Sequence, residues 1–150
     1  MDEHAEIISF RLGDQDFCVD IGSIREIRGF AQATALPNAP RHVLGVINLR
    51  GSVIPVVDLA AMLGFATIEP NERCAIIVTE ISGKMVGLLV ENVSDMVSVS
   101  ADQIQPTPDV DDGFDHHSIK GVVALEDQLI CFLDLDVLFP SSNKDFEAAA

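Results

Sequence analysis

The sequence predicts an all-β protein of the barrel or sandwich type. Three observations point there. Short apolar runs are separated by glycine-, serine- and aspartate-bearing breaks along the chain, helical pattern is confined to two short pieces, and one β unit occurs twice.

In chain order, Ile8-Ser9-Phe10-Arg11-Leu12 and Phe17-Cys18-Val19-Asp20-Ile21 alternate apolar with polar residues on either side of Gly13-Asp14-Gln15-Asp16. This is the pattern of a hairpin with one buried face. Val43 to Leu49 and Val53 to Val57 are rich in β-branched residues and form a second hairpin across Arg50-Gly51-Ser52, where glycine can supply the positive φ of a tight reversal. A third hairpin joins Ala75 to Ile81 with Met85 to Val90 across Ser82-Gly83-Lys84, and Met96 to Ser100 follows as a further strand. A fourth joins Ile119 to Leu125 with Leu129 to Leu133 across Glu126-Asp127-Gln128. Asp58 and Asp134 stand as N-caps before short apolar turns that Gly64 and Pro140 close.

The duplication appears when the chain is slid along itself. Gly45-Val46-Ile47-Asn48-Leu49-Arg50-Gly51-Ser52-Val53-Ile54-Pro55-Val56-Val57-Asp58-Leu59 aligns without gaps on Gly121-Val122-Val123-Ala124-Leu125-Glu126-Asp127-Gln128-Leu129-Ile130-Cys131-Phe132-Leu133-Asp134-Leu135. Upstream of each copy, Ile21-Gly22-Ser23-Ile24-Arg25-Glu26-Ile27 resembles the bend Val90-Glu91-Asn92-Val93-Ser94-Asp95-Met96. Two related β units side by side leave a crevice between them, and an apolar crevice suits an elongated partner.

Composition narrows the function classes. At 150 residues the chain is long enough for one domain with a full core. Apolar residues make up 48% of it, yet runs such as Met85-Val86-Gly87-Leu88-Leu89-Val90 are far too short to span a bilayer. The opening Met1-Asp2-Glu3-His4-Ala5-Glu6 is acidic where a secretory leader is positive. A soluble, cytoplasmic protein is expected. A formal charge of −15 repels phosphate backbones and anionic lipid, so nucleic acid is not an expected partner and direct membrane insertion is not expected. Against that field the cations Arg25, Arg28, Arg41, Arg50 and Lys120 stand out as local contacts. Cys18, Cys74 and Cys131 are odd in number and widely spaced, which reads as reduced, mostly buried thiols rather than a disulfide framework or zinc site.

Tests for chemistry return nothing catalytic. Asp109, Asp111, Asp112, Asp115, His116 and His117 crowd one Pro- and Asp-rich loop, but an EF-hand starting at Asp109 would need glycine and glutamate where Phe114 and Lys120 stand. Cysteines among apolar strand neighbours are inert, and His42 beside Arg41 has no nucleophile elbow or phosphate loop to serve. Asp58 and Asp134 are explained as caps. No catalytic residue, metal ligand or cofactor is expected. What remains is protein binding, with Ile24-Arg25-Glu26-Ile27-Arg28-Gly29 and the turn residue Arg50 as the candidate surface.

The segment Gly45 to Leu59 resembles the signature of the CheW family. Ile24-Arg25-Glu26-Ile27-Arg28-Gly29, Val86-Gly87-Leu88-Leu89-Val90-Glu91-Asn92-Val93-Ser94-Asp95 and Ile104-Gln105-Pro106 support the resemblance in order and spacing, which extends from Glu6 to Phe139. It implies two intertwined five-stranded β-barrels with short helices, spanning residues 1–140 as one domain, with 141–150 as a tail expected to fray. It also implies a noncatalytic adaptor, a monomer when free, that bridges chemoreceptor tips to the regulatory domain of the histidine kinase CheA. Carried over by position, receptor binding falls on Ile24, Glu26, Ile27, Arg50, Val93 and Met96, and kinase binding on Leu44, Gly45 and Val46. An adaptor of a non-flagellar pathway, controlling pilus motility or a second messenger, fits the same resemblance. A metal-binding protein using the Asp/His loop is the reading from a different class.

Overall fold

The computed structural model describes residues 4–106, 119–125 and 128–139. Those residues form eleven strands and two one-turn helices: β1 (His4–Leu12), β2 (Gln15–Asp20), β3 (Ile24–Gly29), β4 (Val43–Leu49), β5 (Ser52–Asp58), α1 (Leu59–Met62), β6 (Ala75–Ile81), β7 (Lys84–Val90), β8 (Asn92–Ser100), β9 (Ile104–Gln105), β10 (Ile119–Leu125), β11 (Gln128–Leu133) and α2 (Leu135–Leu138). The expected all-β class stands. The acidic loop, Pro140 and the tail lie outside the described residues.

The hairpin turns are tighter than the sequence suggested. Leu12 pairs with Gln15, Leu49 with Ser52 and Ile81 with Lys84, leaving two residues in each loop. Arg50 and Gly51 both have positive φ, 53° and 88°, as a type I′ turn requires; its twist matches the right-handed twist of the strands it joins. The Asn48 side chain accepts from the Gly51 backbone N–H at 2.9 Å and holds the turn.

The strands form two sheets, in the orders β8-β1-β2-β11-β10-β9 and β3-β6-β7-β5-β4. The two orders repeat each other, with β8, β1, β2, β11 and β10 standing for β3, β6, β7, β5 and β4. The sixth strand, β9, has only two residues, and its counterpart in the other sheet is the single bridge of Thr34 to Val46. Each sheet contains one parallel pair at the same place, β11 on β2 and β5 on β7. Each therefore joins the hairpin of one sequence repeat to the remaining strands of the other: β1 and β2 sit with the second repeat, β6 and β7 with the first. The expected intertwining is this exchange of hairpins.

Burial follows the strand alternation. The larger core combines Phe10, Phe17 and Val19 of the first sheet with Val56, Ile76, Ile77 and Leu88 of the second, and so fuses the two units. A smaller core of Ile7, Cys18, Val99, Val123, Ile130 and Phe132 lies within the six-stranded sheet. Each such side chain contributes about 1.5–3 kcal/mol by leaving water. The helices are capped as expected. One Asp58 carboxylate oxygen accepts from Ala61 N–H at 3.1 Å and the other from Ile68 N–H at 2.8 Å, while Asp134 accepts from Asp136 and Val137.

Glycine recurs at the head of each repeated signature because backbone passes over it. A Cβ on Gly45 would lie 2.1 Å from the Thr34 carbonyl oxygen, and one on Gly121 would lie 2.9 Å from Ile104 Cγ2 and 3.0 Å from the Gln105 oxygen.

A candidate partner-binding surface

The six residues expected to meet a receptor come from three places: β3, β8 and the β4–β5 turn. β3 was read from sequence as a bend and is instead an edge strand paired with β6. β8, the other edge strand, pairs with β1. The two are equivalent residue for residue. Ile24 faces Thr79 and Val93 faces Phe10; both strands then skip register in a bulge, after which Ile27 faces Ile77 and Met96 faces Ile8. Bulges bend an edge and re-aim its side chains.

The result is two matching apolar edges. Ile24 and Val93 are half-buried and pack on the same larger core, although they belong to different sheets. Beyond them Ile27 and Met96 project with 41% and 62% of their surface exposed. Both strands start at the junction of the units, where the 3₁₀ turn Ile21–Ser23 that leads into β3 packs against β1 and β6. At the start of β8, Glu91 N–H donates to the Arg11 carbonyl of β1.

Arg50 reaches this region from the opposite end of its sheet. Its guanidinium donates to Glu26 Oε1 at 2.7 Å, with the arginine side chain 75% and the glutamate 26% exposed. An ion pair that exposed contributes less than about 1 kcal/mol to stability. Its importance is geometric, since it joins the first strand of the β3-β6-β7-β5-β4 sheet to the turn of the last hairpin. Arg25 is held by Glu80 at 3.2 Å and by the Gly22 carbonyl at 3.1 Å.

The residues expected to meet the kinase lie elsewhere, on β4. Gly45 is buried and Leu44 and Val46 are half-buried. The Thr34 backbone exchanges hydrogen bonds of 2.8 and 2.9 Å with Val46 and covers the outer edge there. Beside it a depression of about 360 Å³ is lined by Arg28, Gln32, Thr34, Val46, Asn48 and Val53. Among the described residues, the buried His42 Nε2 atom has no hydrogen-bond partner.

The two most exposed large apolar side chains among the described residues, Val53 at 67% and Leu129 at 69%, escaped the sequence reading. The repeat places one on the other, so the signal was available: an apolar residue stands second in both β5 and β11, at a position the strand alternation turns outward. The exposed cation Lys120 places its Nζ 4.4 Å from the centre of the Phe132 ring, an arrangement favourable for a cation and an aromatic face.

The chemistry of the remaining groups is quiet. Burial pushes the Cys18 thiol up to about 12 and raises that of Cys131, so both stay protonated at neutral pH. The two point to different cores, Cys18 into the smaller and Cys131 against the larger. Among the described residues, no three His, Cys, Asp or Glu side chains gather into a metal site, and no helix is long and apolar enough to cross a membrane. The Asp/His loop lies outside those residues.

Known proteins share this architecture. The CheW-like domain family matches residues 6–143. The chain is similar to the chemotaxis protein CheW of Rhizobium meliloti, at 51% identity over 93% of this chain and 90% of the relative. It is also similar to the probable chemotaxis protein CheW of Rhizobium etli, at 48% identity over 96% and 92%. Among solved structures it superposes on the scaffolding protein TtCheW from Thermoanaerobacter tengcongensis with a TM-score of 0.86 and 29% identity, covering 95% of this chain and 97% of that one.

Proposed function

The chain belongs to the CheW-like domain family, and from that premise we propose that it couples chemoreceptor tips to the regulatory domain of the histidine kinase CheA. Family membership makes it a noncatalytic scaffold of chemotaxis. Coupling requires two surfaces that can be occupied together. The observation that carries the proposal is the pair of equivalent edge strands at the unit junction, each with a half-buried and an exposed apolar residue.

A receptor helix lies along these edges, with Ile24, Ile27, Val93 and Met96 supplying apolar contact and the Glu26–Arg50 pair supplying polar contact. The kinase meets β4 through Leu44 and Val46, with Gly45 keeping the covering Thr34 backbone in place. Recruitment from the cytoplasm to receptor arrays follows from binding both partners. The free protein is a monomer in this reading, kept so by a charge of −15.

The test is Arg50→Glu. A carboxylate at this exposed turn opposes Glu26 and should weaken receptor capture roughly tenfold, while the melting temperature and kinase capture stay at wild-type values. Receptor binding and kinase activation at wild-type levels would remove Arg50 from the site.

A further inference from the structure

The two apolar edges are nearly interchangeable, because Ile24 and Ile27 stand on β3 where Val93 and Met96 stand on β8. A partner helix held by those side chains alone could therefore lie either way round with similar affinity. Charge is what differs between the edges. β3 reads Ile-Arg-Glu-Ile-Arg-Gly and β8 reads Asn-Val-Ser-Asp-Met-Val-Ser-Val-Ser, with no cation. Glu26 on β3 already has Arg50 at 2.7 Å. Its counterpart on β8 is Asp95, and the residue that the repeat aligns with Arg50 is Glu126, another acid. Asp95 is exposed and forms no ion pair among the described residues. The nearest strand contributes Arg11, which stands opposite Asn92 on one side and Asp16 on the other and pairs with neither.

The bulge that presents Asp95 is also built differently. Ser9, 5% exposed, spans it: its hydroxyl donates to the Asp95 carbonyl at 3.3 Å and accepts from the Asp95 N–H at 3.4 Å. On the other edge Val78 occupies the matching place and offers no such bond. Asp95 is thus an uncompensated carboxylate held beside the most exposed apolar residue of the edge, Met96.

We infer that Asp95 determines the orientation of the bound helix by receiving a lysine or arginine of that partner next to the apolar side chain seated on Met96. This rests on the receptor-binding reading above and adds the partner's chemistry to it. The β3 edge, with its acid already neutralised, takes the uncharged or acidic flank of the same helix.

A helical-hairpin fragment of a chemoreceptor signalling tip is the probe, with affinity measured by calorimetry at low and physiological salt. Asp95→Asn should weaken binding roughly fivefold at low salt and flatten the salt dependence. Asp95→Lys should weaken it further, and reversing one cation of the fragment to glutamate should restore it. Asp14→Asn, an exposed acid in the β1–β2 turn, should change nothing. Wild-type affinity and salt dependence in Asp95→Asn, or failure of every charge reversal to rescue Asp95→Lys, overturns the inference. If the wild-type chain does not bind the fragment at all, the receptor-binding reading falls instead.

Discussion

Gly45 and Gly121 occupy the same position in two copies of one β unit, yet they are constrained to different degrees. Over Gly45 the obstacle is the Thr34 backbone at 2.1 Å, and φ is +147°; over Gly121 the nearest atoms, Ile104 Cγ2 and the Gln105 carbonyl oxygen, stand farther off at 2.9 and 3.0 Å. The covering over Gly45 is a single β-bridge, and the one over Gly121 is the two-residue strand β9. The covering of the first repeat is the tighter of the two.

That comparison can be broken by experiment. The largest effect is expected at Gly45→Ala, which should cost roughly 3 kcal/mol because backbone must move far to clear the new methyl, against about 1 kcal/mol for Gly121→Ala, where Ile104 and the Gln105 carbonyl need give way by less. Chemical denaturation measures both, and equal losses would show that the two coverings are equally rigid. Next come the caps. Asp58→Ala strips partners from two N–H groups, one of them the buried Ile68 N–H, and should cost about 2–3 kcal/mol. Asp134→Ala serves a more exposed turn and should cost about 1 kcal/mol.

A pH effect should appear on one side of the repeat only. Cys18 is raised to about 12 by burial, while Gly87 occupies the matching place, opposite Val56 as Cys18 is opposite Phe132. Because the folded thiol titrates above the unfolded one, its stabilisation is complete below the ordinary thiol range and is lost as pH rises toward 12. Denaturant titrations should show an alkaline decline that flattens in Cys18→Ala; an unchanged decline would assign it to other groups. The smallest effects are expected at Ile27→Ala and Met96→Ala. These exposed changes should alter stability by less than about 0.5 kcal/mol while weakening receptor capture, and a loss of stability at either would mean that the residue serves the core.

Much of this was legible in the sequence. Alternation located nine of the eleven strands, and the gapless repeat anticipated that β4–β5 and β10–β11 are equivalent hairpins. β3 was missed because an edge strand with three charged residues in six has no continuous apolar face, and β9 because two residues carry no period. The Glu26–Arg50 pair was not legible either. Both residues were picked out, but the 2.7 Å contact exists only because the sheet curls until its two ends meet. The special place of Asp95 required a further step, since an acid in an acidic protein attracts notice only when its repeat partner is found to be neutralised.

The exchanged hairpins also govern the order in which the molecule can be assembled. Every strand of the β3-to-β7 sheet lies within one stretch, Ile24 to Val90, so that sheet can close as soon as the stretch has left the ribosome. The first hairpin cannot finish then. β2 has to wait for β11, more than a hundred residues later, and such distant pairings form slowly and expose unpaired edges in the meantime. The opening strands, first to be synthesised, are therefore among the last to find their place, and damage to the last strands should be felt at the beginning of the chain.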